Sequence, residues 1–287
     1  MKIELKGVNY IYNKGNPFEV SALTNIDLTI EQGDFIGLIG HTGSGKSTLV
    51  QHLNGLYRPT SGEVLVGGLN TKDKGTGIKQ IRQKVGLVFQ YPEHQLFEET
   101  VYQDIAYGPK NIGIPENEIE ERVMDAMELV GLDYMTIKDK SPFELSGGQK
   151  RRVAIAGVLA MHPRVLVLDE PTAGLDPRGR DEILGYLKVL HREKNICIVL
   201  VSHSMEEIAR LANRILVMER GQIVMDGAPK EIFLEEDKLE EMGLGIPQIT
   251  EVMKAISKKY PGIRSDILTV EEAYDQLRVL LGGEGIV

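Results

Sequence analysis

The sequence predicts an α/β protein built on short buried strands, and three observations carry that prediction. The segment Asp34–Ile39 leads into the glycine loop Gly40-His41-Thr42-Gly43-Ser44-Gly45-Lys46-Ser47, and Thr48–Leu53 then reads as the start of a helix. Four apolar residues, Val165-Leu166-Val167-Leu168, end in the paired carboxylates Asp169 and Glu170. A third apolar run, Ile196–Val201, ends in Ser202-His203. Strands covered on both faces read as unbroken apolar runs. In open α/β sheets, ligands gather outside the carboxyl ends of such strands.

Size and composition set the bounds. A chain of 287 residues suffices for one large domain or a domain plus an appendage, and 42% apolar residues permit a substantial core. The 33 basic and 42 acidic residues give a formal charge of −9, which argues against a general nucleic-acid binder. The single cysteine, Cys197, excludes an internal disulfide framework and is compatible with the cytosol. It lies inside an apolar run, so it reads as a buried strand residue. The opening Met1–Lys6 is charged and alternating, unlike a signal peptide. No apolar stretch reaches the roughly 20 residues a membrane span needs. A protein soluble by itself is expected, with any membrane role exerted through a partner.

Taken in order, residues 3–12 and roughly 20–30 alternate and carry β-branched side chains. They predict two antiparallel strands joined by the loop Asn13–Pro17. Tyr12 at the loop entrance could stack on an adenine ring or pack on the sheet edge, with Phe18 as a competitor for the base. The glycine loop and its helix run to about Gly55. Ser61–Gly68 predicts a turn, a short strand and a turn. Val85–Gln90 predicts a strand ending in an amide, and Tyr91-Pro92 then stops regular structure.

Helices are predicted over Val101–Ala106, Glu116–Val130 and Lys150–Ala160. In the second, Ile119, Val123, Met124, Met127 and Val130 fall at helical spacing. The block lies between two sheet strands and reads as a helical insertion. Residues 214–227 predict a final hairpin turning at Gly221. From about Asp237 the chain becomes charged helical segments with glycine breaks, ending in Gly282-Gly283-Glu284-Gly285. Ile249, Val252, Met253, Ile256 and Tyr260 form an apolar helix face there. It serves either packing onto the parent domain or a subunit interface.

The motifs specify a chemistry. The loop matches G-x-x-x-x-G-K-[ST] in the strand–loop–helix setting that gives the pattern meaning. Its glycines allow a tight turn whose N–H groups point at one anion, and the next helix offers its positive N-terminus to the same anion. Lys46 adds a charge at the β- and γ-phosphates, and the Ser47 hydroxyl can coordinate Mg²⁺. Asp169 would hold the Mg²⁺ shell, and Glu170 would polarise a water for attack on the γ-phosphate. Gln90 could sense Mg²⁺ or that water. His203 could donate a hydrogen bond to the γ-phosphate. A second run, Leu145-Ser146-Gly147-Gly148-Gln149, places glycines and a hydroxyl before another helix. It is either an ordinary serine cap or a second anion site.

This set of motifs resembles the ATP-binding cassette ATPases over residues 1 to about 236. The specific evidence is Leu145–Gln149 lying between Gly40–Ser47 and Val165–Glu170. The resemblance implies a nucleotide-hydrolase core of mixed sheet, an antiparallel β subdomain and a helical subdomain inserted at about 91–162. Residues 237–287 would form a C-terminal extension and possible dimer interface. It implies ATP and Mg²⁺, the latter held by Ser47, Asp169 and Gln90. Tyr12 and Gly40–Thr48 would bind ATP. Glu170 would act as catalytic base, with Gln90 and His203 as loop glutamine and switch histidine. Asp176, in the tight loop 173–177, would communicate across a head-to-tail dimer. In that dimer Lys46 of one subunit and Ser146 of the other enclose one ATP.

A narrower resemblance is to the ATPases of energy-coupling factor importers. It is carried by Tyr91–Val101, Asp104–Pro109, Ser141–Glu144, Gly157–Ala160 and Leu244–Gln248. His41-Thr42, with intact Glu170 and Gly174, is most similar to the second ATPase of the heterodimeric type. The implied partners are a paralogous cassette, a transmembrane coupling protein and a substrate-binding membrane protein, with no nucleic acid. The implied location is the cytoplasmic face of the cell membrane, and the implied cargo is vitamins or transition-metal ions. Leu96 and Phe97 would serve as a docking site or as internal packing. Two other classes compete. A soluble cassette ATPase acting on nucleic acid or ribosomes should carry two cassettes or a long coiled-coil insertion. A non-hydrolysing regulator should lack Glu170.

Overall fold

The computed structural model describes residues 1–73 and 76–280. Strands β1 (Ile3–Tyr12) and β2 (Val20–Ile30) pair antiparallel, Ile3 facing Ile30 and Tyr12 facing Val20. Strand β3 (Phe35–Ile39) enters the glycine loop and helix α1 (Lys46–Leu53). Strand β4 (Ser61–Val66) takes the other edge of β1 and continues into the short β5 (Leu69–Asn70). Helix α2 (Thr76–Lys84) leads to β6 (Val85–Val88). Four helices follow: α3 (Val101–Ile112), α4 (Glu116–Leu129), α5 (Tyr134–Ile137) and α6 (Gly147–Leu159). The chain returns through β7 (Val165–Asp169), α7 (Pro177–Lys194), β8 (Cys197–Val201) and α8 (Met205–Leu211). The hairpin β9 (Arg214–Glu219) and β10 (Gln222–Gly227) precedes α9 (Pro229–Leu234), α10 (Glu236–Glu241), α11 (Gln248–Lys259) and α12 (Val270–Leu280).

Two sheets result. One is antiparallel, in the order β2-β1-β4-β5; the other has six strands in the order β10-β9-β3-β8-β7-β6. Within the second, every described pairing is parallel except the β9–β10 hairpin. Register aligns the strand ends that matter: Leu38 lies beside Val201, Asp169 beside Val201, and Val88 beside Leu168. The glycine loop, His203, Asp169–Glu170 and Gln90 therefore leave the sheet along one edge.

Alternation explains why these strands read as solid apolar runs. Val165, Val167, Val199, Val201, Ile36 and Leu38 face one core, shared with α1 and the antiparallel sheet. Leu166, Leu168, Ile198, Leu200, Phe35 and Ile39 face the other, shared with α3, α4, α6 and α7. Both faces of a period-two strand are covered, so each residue must be apolar. Cys197 is buried, as its setting predicts.

Several expectations are corrected. Helix α3 runs past Ala106 to Ile112, closing on Gly113 in the left-handed conformation. Gly108 lets it approach α6: an added Cβ would lie 3.3 Å from the Gly157 carbonyl oxygen. Helix α6 begins at Gly147 rather than Lys150, because Ser146 and Gln149 form a reciprocal cap. Of the apolar set at helical spacing, Met124 is 46% exposed while Ile119, Val123, Met127 and Val130 are buried. Leu96 is buried and only Phe97 is exposed, its ring edge-on to Tyr107 at 4.9 Å. No element is predicted for residues 178–195 or 205–211, which α7 and α8 occupy.

The α11 face divides. Met253 is buried with Ile267 and with Ala273 of α12, whereas Val252 and Tyr260 are exposed. The extension thus makes its own small core. It is tied to the larger one through Leu239, Leu244 and Ile246. The predicted glycine break at 282–285 lies outside the described residues.

Candidate active site

The glycine loop gets its shape from its surroundings. Gly40 sits at φ +153°, where an added Cβ would overlap the Met218 carbonyl oxygen of β9 and lie 2.6 Å from Ser44 Oγ. Gly45, the N-cap of α1, sits at φ +105°, with the Ala22 carbonyl oxygen 2.7 Å from any Cβ. A side chain fits at neither position. The Gly221 N–H donates to the Ser44 carbonyl at 2.9 Å, so the β9–β10 hairpin buttresses the loop.

Lys46 is only 7% exposed, and its ammonium donates to the carbonyls of Gly40 (2.6 Å) and His41 (3.0 Å). Among the described residues no ion pair holds it. Burial lowers its pKa, while Glu170 and Asp169 work in the opposite direction. A buried cation satisfied only by carbonyls is a strong attractor for an anion. Asp169, 8% exposed, is pushed upward by burial, pulled down by the Ser47 hydroxyl, raised by Glu170 and lowered by Lys46. Ser47 and Asp169 both offer oxygen donors, the ligand type that Mg²⁺ takes.

Glu170 is the strained residue of the site. Its φ is +50°, uncommon for a side chain without a local turn role, and its N–H is tied to the Val201 carbonyl at 3.0 Å. One carboxylate oxygen accepts from Gln90 Nε2 at 3.1 Å; the other lies 2.9 Å from His203 Nε2. Three strand ends converge on one carboxylate. Gln90, which could face metal or water, here contacts the carboxylate itself.

A cavity of ≈ 370 Å³ joins these groups. It is lined by Tyr12, Thr42, Gly43, Gly45–Thr48, Gln90, Glu170 and His203, with Val20–Ala22 of β2 on one wall. The Tyr12 hydroxyl is hydrogen-bonded with Thr48 Oγ1 at 3.0 Å, and its ring stands edge-on to Tyr10 at 4.8 Å. Phe18 is 79% exposed and does not line the cavity. Gly40 and Ser44 shape the loop from behind. His41 lines an adjoining cavity of ≈ 550 Å³ with Thr42, His203 and Gly243–Ile246 of the extension.

Other predicted site residues are not brought together with Lys46. Leu145 is buried, but Ser146 and Gly147 are exposed at the start of α6. Ser146 Oγ accepts from the Gln149 N–H at 3.3 Å, while the Ser146 N–H donates to Gln149 Oε1 at 3.1 Å. Gly147 and Gly148 would meet nothing within 4 Å if given a Cβ. None of Leu145–Gln149 lines the cavity. Asp176 is exposed and caps α7 through the Gly179 N–H at 2.9 Å.

Sequence patterning missed Glu207. Its buried carboxylate accepts from Ser202 Oγ at 2.7 Å and Thr172 Oγ1 at 3.0 Å, with Arg180 Nε at 3.5 Å. It braces the segments just beyond Glu170 and just before His203. No spacing in the chain signals those partners.

A family model described as ABC transporter matches residues 23–173. The energy-coupling factor transporter ATP-binding protein EcfA2 of Clostridium perfringens is 56% identical over 96% of this chain and 97% of its own length. Its counterpart in Caldanaerobacter subterraneus subsp. tengcongensis is 53% identical over the whole of both chains. Among solved structures, cbiO1 of Clostridium perfringens, described as part of the ABC transporter complex cbiONQ, superposes with TM-score 0.73 at 39% identity. The match covers 88% of this chain and 98% of cbiO1. The ATP-binding cassette MJ0796, in a dimeric post-hydrolysis state with ADP and Pi, gives TM-score 0.70 at 30% identity over 79% and 98%.

Proposed function

The chain belongs to the ABC transporter ATPases, and on that premise we propose how its residues serve an energy-coupling factor importer. It is an ATP-hydrolysing subunit that binds ATP and works with a partner ATPase and transmembrane components. The named relatives are transporter subunits, which favours this class over a soluble ATPase acting on nucleic acid or ribosomes. No described helix is long and apolar enough to cross a membrane.

The observation that carries the assignment of roles is the Glu170 carboxylate, clasped by Gln90 and His203 at the rim of the Lys46 cavity. Lys46 and the loop N–H groups bind the β- and γ-phosphates. Mg²⁺ supplies charge neutralisation on those phosphates; Ser47 and Asp169, with Gln90 nearby, are the residues to hold it. Glu170 takes the proton of the attacking water, oriented by Gln90 and His203. Tyr12 stacks on the adenine. The outward-facing Ser146–Gln149 turn contacts the ATP of the partner cassette, and Asp176 lies on the path between the two sites.

The finer reading extends to assembly. Residues 1–236 form the ATPase domain, with the helical subdomain inserted at about 91–162, and residues 237–287 form an extension that helps join the dimer. The exposed Val252, Tyr260 and Tyr274 support an interface there. The partner is a paralogous cassette. The pair sits on the cytoplasmic face of the membrane, bound to a coupling protein and a separate substrate-binding membrane protein. Its cargo is a vitamin or a transition-metal ion.

Glu170→Gln tests the core of this reading. The amide keeps an oxygen for Gln90 and nearly the same shape but cannot take a proton. Hydrolysis should fall by about 10²–10⁴-fold, the usual contribution of a positioned base, while an ATP-bound dimer accumulates in size-exclusion chromatography. Normal turnover by this variant would refute the base assignment. A tagged pull-down from detergent-solubilised native membranes tests the assembly. Recovery of only cytosolic partners would refute it.

A further inference from the structure

Arg151 is the largest fully buried side chain outside the apolar cores, at 2% exposure. It lies five residues past the Ser146 cap of α6. Its Nε and Nη2 donate to the two oxygens of Glu93 at 3.0 and 2.7 Å, a two-pronged pair. Its Nη1 donates to the carbonyls of Pro171 (2.9 Å) and Ala173 (2.6 Å). The guanidinium carbon stands 5.9 Å from the centre of the Tyr91 ring.

The partners occupy two loops that already meet at the active site. Glu93 belongs to a short 3₁₀ turn, Pro92–Gln95, three residues after Gln90. Pro171 and Ala173 lie one and three residues after Glu170. Gln90 closes the front of the same pair of loops by donating to Glu170. The loops are therefore clamped twice, by Gln90 at the cavity and by Arg151 behind it. The strained backbone of Glu170 lies between the clamps. A conformation of that kind persists only where its surroundings over-determine it.

We infer that Arg151 is a positioning residue that couples the Ser146–Gln149 turn, serving the partner's nucleotide, to the Glu170 carboxylate, serving this chain's own. The inference rests on the head-to-tail reading of the preceding subsection. Any shift of α6 on engaging the second cassette moves the guanidinium, and the guanidinium holds both loops that aim Glu170. A lysine keeps the charge but loses the fork and can hold only one loop well. Burial alone would raise the Glu93 carboxyl, yet Arg151 more than offsets it and holds it below its ordinary value. The carboxylate is thus held in the form that accepts both prongs of the guanidinium.

The test compares the full-length protein, in complex with the cassette it purifies with, against Glu93→Gln, Arg151→Lys and the double variant. Four quantities are measured: kcat for ATP, the Hill coefficient in ATP, the affinity for a fluorescent ATP analogue, and Tm. Each single variant should lower kcat about 10- to 100-fold, the scale of a misplaced reacting group. The Hill coefficient should fall toward 1, with analogue affinity within about twofold, because neither residue touches the cavity. The double variant should be no slower than the slower single variant, since both break one unit. Unchanged kcat and Hill coefficient in the singles, additive losses in the double, or lost affinity that tracks Tm would each overturn the inference. Glu93 lies near the surface, so its variant decides the matter even where Arg151→Lys fails to fold. The unmodified complex must hydrolyse ATP and Glu170→Gln must not; failure there refutes the functional reading rather than the coupling.

Discussion

Replacing Gly45 with alanine should damage nucleotide binding more than folding. The residue caps α1 at φ +105° and ψ 2°, a conformation that costs an L side chain about 1–2 kcal/mol. The new methyl would lie 2.7 Å from the Ala22 carbonyl oxygen, 3.2 Å from Met218 Cε and 3.3 Å from Leu23 Cδ2. The methionine can move aside. The carbonyl cannot, because Ala22 is backbone of β2 and the adjoining Leu23 is fully buried. Relieving that overlap adds about 1–2 kcal/mol, within the range for overpacked sites. The sum, about 3 kcal/mol, lowers Tm by about 6–12 °C for a domain of roughly this size. The loop must shift to make room, which displaces the Lys46 and Ser47 N–H groups together. Affinity for a fluorescent ATP analogue should then drop more than about tenfold, the loss of roughly one charge-assisted hydrogen bond. Thermal denaturation and analogue titration on the full-length chain measure both. A Tm within about 1 °C of the parent, with affinity within about twofold, would refute the steric argument.

Other outcomes follow from the same site. Asp169→Asn should raise the Tm of the nucleotide-free protein at pH 7 while abolishing hydrolysis. Burial raises the Asp169 pKa in the folded state, so the ionised group costs stability that is intact below the ordinary carboxylate pKa and lost as pH rises through the folded value. The neutral amide removes that cost; a lower Tm in denaturation at pH 7 would contradict it. Tyr12→Ala should weaken analogue binding by about 1–3 kcal/mol, the worth of one base–aromatic stack, whereas Phe18→Ala should leave it unchanged. Titration of both variants decides between the two aromatics, and a larger effect at Phe18 would reverse the assignment.

The elements around the site were legible where burial leaves a signature along the chain. Strands β3, β7 and β8 are covered on both faces, so each reads as a short apolar run, and each ends in the polar residues that line the cavity. Helix α7 escaped the reading although its buried Ile183, Leu184, Leu187 and Leu190 repeat at helical spacing, because charged residues between them mask the stripe. The clamp residues were not legible either. Arg151 sits in the run Lys150-Arg151-Arg152, which looks like a solvated helix face. Only its four-residue spacing to buried Ile155 and Leu159 hints otherwise. Its partner Glu93 is 58 residues away, and Glu207 lies 35 residues from Thr172. Polar pairing at such separation leaves no periodic trace. Pattern also could not place the Ser146 turn, because two helix N-termini of similar chemistry look alike until the fold sets one on the cavity and leaves the other off its lining.

The buttressing of the glycine loop by the β9–β10 hairpin bears on the order in which the protein comes into being. Strand β3 is the third made, but its neighbours in the sheet are β8 and β9, and the Phe35 N–H is held by the side chain of Asn213 at 2.9 Å. The loop's own walls are the Met218 carbonyl and the Gly221 N–H. Residues 40–47 therefore leave the ribosome long before the surfaces that shape them. A nascent chain halted short of residue 214 holds the whole phosphate-binding sequence and none of the hairpin that makes it a site. Nucleotide competence arrives late in synthesis, once nearly the whole ATPase core has emerged.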